Sequence, residues 1–537
     1  MFFAVVYVVF LLLNLSYMSI QWDEVTHLNG GMLLLRGNFQ QYFSFNAFYP
    51  PMYDLFAAGF FGVAGISVFT GRLVSVVFSL LSLYAVFEFA FRMYGAKTAL
   101  LATVLLGLMP GYFWLSRMAM IETMLVFFFT VSALFFFGWL RLHQNKFLIL
   151  SGLTLGLGIL VKYQMIIVGA IMLTSLVLLG RGYLKKKFTR FPILILTVLA
   201  VVIPWVVVSY QLYASGMLNT WLYALNIGNP EKSLYSTGLN RFPPIYASLP
   251  SWLQASVFYL FEITVPYSDV HPVSFFLYAL GVVGLGWFAW RRKPIDKYLL
   301  IWFFVAYVFF TVIPNKQWRY LMPVFPVLAL SAASLLTSAL GKAQDLWRNK
   351  QLSVSKKRLT QVAAGLLIVF TLVGAAYSVS DAYSWVAKDQ IRIPIQEATS
   401  YAAGHLAADE SIMVMCAQNL YSQDMVRFYL NAQGKTNGVW QYPALPVDTY
   451  TPGFNVTEFV GQCRQHNVKY VFTYEFGGDV PYFNTTLSLM GVYQMLYDSG
   501  KFSYLSGNAN IEDLVKEGLI PAFGVNPRRI FVLTFLG

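Results

Sequence analysis

Two adjacent carboxylates early in the chain have the residue type and the position for proton-transfer chemistry. Asp23 and Glu24, in the segment Trp22-Asp23-Glu24-Val25-Thr26-His27, directly follow the first apolar stretch. Neighbouring carboxylates repel each other, so a pair beside an apolar wall implies a cation, a metal or a catalytic task. The alternative is a solvated helix start, because the helix dipole favours acidic residues in the first turn.

Other ionisable residues stand at the ends of long apolar segments. They are Arg72, Arg117, Glu122, Lys162, Lys316 and Arg319, with Tyr320 directly after the last. An ionisable group at membrane depth is energetically expensive and is a functional candidate by default. Any single one could instead be a snorkelling anchor at the membrane surface. Several on one face, together with three acids, predict a site, and we expect Asp23, Glu122, Lys162 and Arg319 to converge in one extracytoplasmic pocket.

Membrane-spanning helices must position these residues. Of the 537 residues, 58% are hydrophobic and 11% are charged, whereas soluble domains are roughly 45–50% apolar. At about 20 residues per crossing, the apolar segments predict roughly eleven transmembrane helices, at 2–20, 72–91, 98–114, 121–140, 147–161, 164–180, 191–212, 273–290, 298–314, 321–341 and 359–379. Near the inner end of the second segment, Glu88 and Arg92 have the i,i+4 spacing of a structural ion pair.

The formal net charge of +13 belongs to the membrane part of the chain. Residues 1–380 hold 27 Lys/Arg against 10 Asp/Glu, whereas residues 381–537 hold 10 against 14. The cations crowd into alternate loops, within 181–190, 291–297 and 342–358. This is the positive-inside pattern, so we predict no nucleic-acid partner. With these loops in the cytosol, the N-terminus is inside and the chain after about residue 380 is extracytoplasmic.

The expected fold is an α-helical polytopic membrane protein with a C-terminal extracytoplasmic α/β domain. The predicted domains are a transmembrane domain at 1–380, with long outer loops at 21–71 and 213–272, and a soluble domain at 381–537. The first loop contains two amphipathic segments, at 25–36 and 52–64, that suit the interface plane. In the soluble domain, amphipathic helices at 393–405, 423–433 and 456–466 alternate with β-rich runs at 411–417, 468–474 and 529–536. Such alternation predicts a largely parallel sheet.

In order and placement, these residues resemble the GT-C glycosyltransferases, in particular the protein O-mannosyltransferase and aminoarabinose-transferase group that uses polyprenyl-phosphate sugars. The resemblance covers most of residues 1–380. Its motifs are Asp23-Glu24 after the first span, Pro50-Pro51 in the same loop, Arg72 with Leu73 and Ser75, Arg117 with Glu122, Lys162 after a Gly-rich span, and Arg319-Tyr320 followed by Pro323 and Pro326. The chain departs from the group where Tyr49 stands immediately before Pro-Pro, since relatives often have His or Lys there.

The resemblance implies a GT-C-like fold and an inverting transfer of sugar from a polyprenyl (dolichyl or undecaprenyl) phosphate to a hydroxyl of a protein, lipid or glycan. Asp23 is the candidate base, because an acceptor hydroxyl needs a group that takes its proton. Glu24 and Glu122 complete the candidate catalytic acids. The departing phosphate is expected to meet cationic side chains and one phenol, namely Arg72, Arg117, Lys162, Arg319 and Tyr320.

The remaining expectations concern the substrate pocket, cofactors and location. His27 and Tyr49 are expected to line the substrate pocket. No cofactor is certain, and a divalent metal stays open, with Glu24, His27 and His271 as candidate ligands. The protein is expected in the cell membrane, or in the endoplasmic reticulum if eukaryotic, among membrane lipids and with its active site on the extracytoplasmic side.

The leading alternative is a transporter or flippase of lipid-linked sugars. Transporters usually place polar groups near the bilayer midplane on broken helices, often in two related halves. In this chain the charges cluster at the outer ends of spans, and no half-repeat is evident. A membrane scaffold with an exported binding domain would explain the topology but not the outer charges. Transferase is therefore the favoured interpretation.

Overall fold

The computed structural model describes residues 2–17, 19–45, 50–179, 188–213, 244–265, 271–313, 316–348, 354–387, 393–415, 422–442, 454–474, 495–504 and 530–537. Of the predicted outer loop 213–272, residues 214–243 and 266–270 therefore lie outside the described part of the chain. The chain divides into two compact units. Unit 1 comprises Met1–Leu13, Gly37–Phe56 and Arg72–Lys388, and unit 2 comprises Asn14–Arg36, Ala57–Gly71 and Asp389–Gly537.

Helices account for most of the described elements. In chain order they are α1 (Phe2–Leu12), α2 (Trp22–Leu35), α3 (Phe39–Phe45), α4 (Met52–Ala64), α5 (Val68–Tyr94), α6 (Ala96–Gly107), α7 (Pro110–Leu115), α8 (Glu122–Leu142), α9 (Asn145–Ile159), α10 (Ile167–Leu179), α11 (Phe191–Tyr213), α12 (Pro244–Ala247), α13 (Ser251–Glu262), α14 (Phe275–Arg291), α15 (Pro294–Val312), α16 (Phe325–Arg348), α17 (Val354–Ala387), α18 (Ile395–His405), α19 (Gln423–Ala432) and α20 (Val456–Gln465). Two 3-10 helices, Tyr163–Ile166 and Trp318–Val324, precede α10 and α16. The amphipathic segments predicted in the first outer loop are confirmed as helices, α2 and α4.

The chain is a multi-pass membrane protein. Among the described residues, six helices are long and apolar enough to cross a bilayer: Val68–Tyr94, Glu122–Leu142, Phe191–Leu212, Pro294–Val312, Trp318–Arg348 and Arg358–Ser384. Shorter apolar helices cover much of the predicted spans at 2–20, 98–114, 147–161, 164–180 and 273–290. The predicted count of about eleven spans stays a prediction. The span expected at 98–114 is two helices, because Pro110, at the first position of α7, cannot donate the next helical hydrogen bond.

Small residues let the helices of unit 1 pack closely. A Cβ atom placed on Gly284 of α14 would lie 2.4 Å from the carbonyl carbon of Ser331 on α16. The Ser331 hydroxyl donates a 2.8 Å hydrogen bond to the carbonyl oxygen of Gly281, one turn earlier on α14. In a bilayer, where apolar burial drives little association, such close packing and interhelical hydrogen bonds hold helices together.

Unit 2 contains a five-stranded sheet. Its strands are β1 (Ser411–Met415), β2 (Val439–Tyr442), β3 (Val468–Tyr474), β4 (Phe502–Tyr504) and β5 (Ile530–Phe535), in the order β2-β1-β3-β5-β4. The helices α18, α19 and α20 and the strands β1, β3 and β5 confirm the predicted alternation.

The predicted largely parallel pairing is wrong for half of this sheet. The β1 strand pairs in parallel with β2 and β3, whereas β5 is antiparallel to both β3 and β4. Parallel neighbours need a crossover, usually helical, and α19 and α20 lie between the first three strands. The sequence indicates no further amphipathic helix after β3, so the last strands had no basis for a parallel prediction.

A buried ion pair joins the ends of three helices in unit 1. The Arg291 guanidinium, at the end of α14, donates to both carboxylate oxygens of Asp296 at 2.7 and 2.6 Å. The Tyr94 hydroxyl, at the end of α5, donates to the same carboxylate at 2.8 Å. Asp296 is fully buried in the first turn of α15. By contrast, the predicted pair between Glu88 and Arg92 is confirmed but partly exposed.

We expect Asp296→Ala to destabilise the protein strongly. Removing one partner of a buried ion pair leaves an uncompensated charge, here the Arg291 guanidinium, and costs about 3–5 kcal/mol. The matched control, Glu88→Gln, breaks an exposed pair worth at most about 1 kcal/mol. Thermal unfolding of both variants in detergent measures the difference, and equal midpoints would contradict this assignment.

Candidate active site

Glu122 begins helix α8 and is only 2% exposed. As the first residue of the helix, its carboxylate lies at the positive end of the helix dipole, which stabilises an anion. The carboxylate oxygen Oε2 is buried and has no hydrogen-bond partner among the described residues. Glu122 is therefore a buried acid, and its second oxygen accepts no hydrogen bond from the described part of the chain.

Two cations approach the other oxygen of Glu122 from separate parts of unit 1. The Lys162 Nζ atom, just before the 3-10 helix Tyr163–Ile166, lies 3.7 Å from Glu122 Oε1. The Arg319 Nε atom, in the 3-10 helix Trp318–Val324, lies 3.8 Å from the same oxygen. The structure thus brings together three of the four residues that we expected to converge. Asp23 belongs to unit 2, and its convergence with the other three residues stays a prediction.

Neighbouring side chains orient the two cations. Lys162 Nζ lies 4.6 Å from the centre of the Tyr320 ring, and the Arg319 guanidinium carbon lies 5.9 Å from it. A cation over an aromatic face is attracted by the ring, so Tyr320 supports Lys162 through its ring. Arg319 Nε donates a 2.6 Å hydrogen bond to Oε1 of Gln317. This role of Gln317 was not predicted from the sequence.

The resulting cluster has the charge balance of an anion site. Among the described ion pairs it contains one carboxylate and two cations, and both distances exceed the hydrogen-bond range of about 2.7–3.2 Å. A phosphate oxygen close to Lys162 and Arg319 could accept charge-assisted hydrogen bonds from both side chains.

The Pro-Pro segment is attached beside Lys162. Pro50 and Pro51 are buried, and the next residue, Met52, donates its N–H to the carbonyl oxygen of Leu160 at 3.0 Å. Leu160 stands two residues before Lys162, so the motif and the cation are held as neighbours. Tyr49, predicted to line the substrate pocket, lies outside the described residues.

Ser75 of α5 connects this segment with the turn that leads to Glu122. Its hydroxyl donates to the carbonyl oxygen of Met120 at 3.0 Å and accepts the N–H of the same residue at 3.3 Å. The single hydroxyl proton is thereby used, so the Tyr53 hydroxyl, 2.9 Å away, donates to Ser75. Thr123, next to Glu122, donates to the Ser75 carbonyl oxygen at 3.2 Å. Ser75, known from the sequence only as part of a motif, is therefore a hub of the site's support.

The predicted acids of the first outer loop lie on α2 in unit 2. Asp23 is partly buried, and Glu24 and His27 are buried. Asp23 and His27 are four residues apart and so lie on one face of the helix. Glu24 Oε2 accepts the backbone N–H of Gln21 at 3.0 Å, which closes the start of α2. Glu24 thus has a local structural task in addition to its predicted catalytic one.

The two remaining arginines predicted to bind phosphate are both buried in unit 1. Arg72 is fully buried in α5. The Arg117 guanidinium donates to the carbonyl oxygens that end α1, at 2.6 Å to Phe10, 2.7 Å to Leu11 and 2.6 Å to Leu13. This bonding favours a structural, helix-capping role for Arg117 over phosphate binding. The predicted binding of the sugar donor's phosphate by Arg72 and Arg117 remains a prediction.

Two other outer residues are committed to local contacts. Lys316 donates to carbonyl oxygens at the end of α15, including that of Ile313 at 2.5 Å. His271 Nδ1 lies 3.0 Å from Oδ2 of Asp381 on α17. His271 therefore pairs with a carboxylate outside the set of candidate metal ligands, and within the described ranges no group of three or more His, Cys, Asp or Glu side chains is placed to hold a metal ion.

We expect Ser75→Ala to lower the stability of the protein, because Ser75 holds the turn that leads to Glu122. The change removes a hydroxyl that donates to the Met120 carbonyl oxygen and accepts from the Met120 N–H and the Tyr53 hydroxyl, and buried polar groups that lose a hydrogen-bond partner cost about 1–3 kcal/mol. Ser82→Ala is the matched control on the same helix, because the Ser82 hydroxyl only donates, to the carbonyl oxygens of Phe78 and Thr123. Its loss should cost about 0.6 kcal/mol, the mean for such bonds in a membrane. Thermal unfolding compares the stability of the two variants. A larger loss of stability for Ser82→Ala than for Ser75→Ala would contradict the supporting role of Ser75.

Comparison with known proteins finds proteins that are similar to this chain in sequence and in fold. The family model described as dolichyl-phosphate-mannose-protein mannosyltransferase matches residues 49–208. Among curated proteins, undecaprenyl phosphate-alpha-4-amino-4-deoxy-L-arabinose arabinosyl transferase 2 of Proteus mirabilis (strain HI4320) is 25% identical over 281 residues, 51% of this chain and 46% of that protein. The chain therefore aligns with less than half the length of this relative.

Two solved structures of ArnT from Cupriavidus metallidurans match nearly the whole chain. The apo structure gives a TM-score of 0.57 and the structure bound to undecaprenyl phosphate gives 0.61. Each is 13% identical and covers 99% of this chain and 97% of ArnT. At this identity the likeness establishes the fold, whereas activity must be argued from the site. The chain has the GT-C glycosyltransferase fold, as its resemblance from sequence implied.

Proposed function

We propose that this protein is an inverting glycosyltransferase that moves a sugar from a polyprenyl phosphate to a hydroxyl group of a protein, lipid or glycan acceptor. The observation that carries the proposal is the buried Glu122 carboxylate, flanked by Lys162 at 3.7 Å and Arg319 at 3.8 Å, with its second oxygen unpartnered among the described residues. Two cations beside one buried carboxylate in a GT-C fold suit a lipid-borne phosphate.

The proposed reaction is a single displacement at the anomeric carbon. The acceptor oxygen forms a bond to that carbon, and the bond from the carbon to the phosphate oxygen breaks. The acceptor proton passes to the Asp23 carboxylate, and the electron pair of the broken bond stays on the polyprenyl phosphate. Lys162 and Arg319 stabilise the charge that grows on this leaving group. Glu122 holds the two cations in place and can orient the acceptor through Oε2.

The relatives support the donor class. The curated relative is named as a transferase that uses an undecaprenyl phosphate-linked aminoarabinose, and one matching ArnT structure was solved with undecaprenyl phosphate bound. The matched family model is named for dolichyl-phosphate-mannose. We infer a polyprenyl-phosphate sugar for this chain as well, because the Glu122, Lys162 and Arg319 cluster offers charge complementarity to the phosphate that all these donors share.

We further propose that the active site and residues 381–537 face the extracytoplasmic side. The support is the distribution of Lys and Arg, which crowd into the loops assigned to the cytosol. The C-terminal domain would then recognise the acceptor or cover the site. A divalent metal stays open, because the Asp381 carboxylate contacts Nδ1 of His271 and such a contact is compatible with metal binding through the other ring nitrogen.

Transfer by the purified full-length protein tests the proposal. With radiolabelled polyprenyl-phosphate sugars and membrane extract as the source of acceptor, wild type should transfer label, and Asp23→Asn should lose nearly all transfer because no base accepts the acceptor proton. Asp345→Asn, which removes an exposed carboxylate on α16, is the control and should stay active. Label that crosses a sealed vesicle without being transferred would instead establish a flippase.

The two cations give a separate prediction. Lys162→Ala and Arg319→Ala should each lower kcat by about 10²-fold, as expected when one group that stabilises a developing anion is removed. Lys162→Arg should retain part of the activity, because it keeps the positive charge. Initial rates at saturating donor measure the effect, and unchanged kcat in both alanine variants would exclude this cluster from phosphate stabilisation.

A further inference from the structure

Helix α2, which carries Asp23 and Glu24, is built into the same compact unit as the C-terminal α/β domain. Unit 2 joins Asn14–Arg36 and Ala57–Gly71 with Asp389–Gly537. The acids proposed for chemistry and the strands and helices of the domain are therefore parts of one body. The contacts within that body determine what holds α2 in place.

Two side chains of α2 bind main-chain carbonyls of α19. The Asn29 amide donates from Nδ2 to the carbonyl oxygen of Asp424 at 3.0 Å. The Arg36 guanidinium, at the C-cap of α2, donates to the carbonyl oxygen of Asn431. The donors are seven residues apart and so are the acceptors, which corresponds to about 10.5 Å along each helix. The two helices therefore lie side by side and run in the same direction.

Close packing within unit 2 holds the rest of α2. A Cβ atom on Gly31 would lie 2.6 Å from the Ala57 Cβ atom, and one on Gly71 would lie 2.1 Å from a methyl carbon of Leu28. Only glycine fits at both positions without displacing its neighbour. The α2 helix is thus held by α19 through hydrogen bonds and by residues 57–71 through direct packing.

The chain just before α2 is tied to the domain as well. The Ser19 hydroxyl accepts the backbone N–H of Ile393 at 2.6 Å and donates to the Ile393 carbonyl oxygen at 3.2 Å. Ile393 lies two residues before α18, the first helix of the domain. The segment that carries Asp23 is therefore fixed on both sides, at Ser19 and at Asn29.

We propose that Asn29 and Arg36 are positioning residues of the transfer reaction, through which the C-terminal domain holds the Asp23-Glu24 pair in its working position. This inference rests on the proposed function. Asn29 is 2% exposed, so its amide works in a dry environment where a lost hydrogen bond is not replaced by water. It follows Asp23 by six residues, or about 9 Å of continuous helix, so any shift at Asn29 is transmitted to the acids.

The test compares Asn29→Ala, Arg36→Ala and the double variant with wild type in the full-length protein. The matched control is Gln433→Ala, since Gln433 caps α19 but donates to Ser400 and Tyr429 inside the domain. Arg36→Lys retains a cationic donor and serves as the conservative variant. The readouts are kcat and KM for the donor, together with amide hydrogen exchange of residues 22–35.

We expect the double variant to lose about 10²-fold in kcat, the usual cost of misplacing a reacting group by about 1 Å. The KM for the donor should stay unchanged, because Lys162 and Arg319 are not altered. Amides of α2 should exchange faster in the double variant, whereas Gln433→Ala should change neither readout. Arg36→Lys should recover most of the activity lost in Arg36→Ala.

Several results would overturn the inference. A double variant that keeps kcat within about twofold of wild type, with or without faster exchange in α2, shows that these bonds do not position the acids. An equal loss in Gln433→Ala shows that the effect is a general weakening of the domain. A wild-type protein without transfer refutes the proposed function itself, whereas active wild type with an unaffected double variant refutes only the positioning role.

Discussion

The candidate site depends on compensating the charge of one buried carboxylate. Glu122 begins a transmembrane helix at 2% exposure, and an isolated ion there would cost several kcal/mol. Two cations and the helix dipole offset that cost. Each cation is delivered by a 3-10 turn that precedes a helix, Tyr163–Ile166 or Trp318–Val324. The α-helices are thus interrupted by 3-10 turns at the points where Lys162 and Arg319 enter the otherwise apolar bundle.

The residues proposed for the chemistry come from two parts of the chain with different physical character. Glu122, Lys162 and Arg319 come from membrane helices, whose positions are fixed by close packing and by interhelical hydrogen bonds such as those of Ser75. Asp23 and Glu24 come with the unit that contains the sheet. The C-terminal domain is consequently part of the framework that carries two of the proposed catalytic acids, and its folding bears directly on their placement.

Features that follow a short-range pattern could be predicted from the sequence, whereas features made by distant contacts could not. The apolar segments, the amphipathic helices α2 and α4 and the ion pair between Glu88 and Arg92 have local periodicity as their signal. The grouping of Glu122, Lys162 and Arg319 was predicted from the topology, which places the helix ends that carry them on the same side of the membrane. The capping of α1 by Arg117 and the hydrogen bond between Asn29 and Asp424 connect residues 106 and 395 positions apart. Their acceptors are main-chain carbonyl oxygens, which every residue has, so the residue types do not reveal these contacts.

The seam between α14 and α16 also restricts the path of any membrane-borne donor. The Gly284 backbone leaves no space for even one added carbon atom against Ser331, and the Ser331 hydroxyl closes the same seam through Gly281. A polyprenyl chain is at least one carbon atom thick and carries a methyl branch on every isoprene unit, so it cannot pass between the helices at Gly284. The tail of the proposed polyprenyl-phosphate donor therefore has no route between α14 and α16 at Gly284, and this helix pair is closed to lipid there.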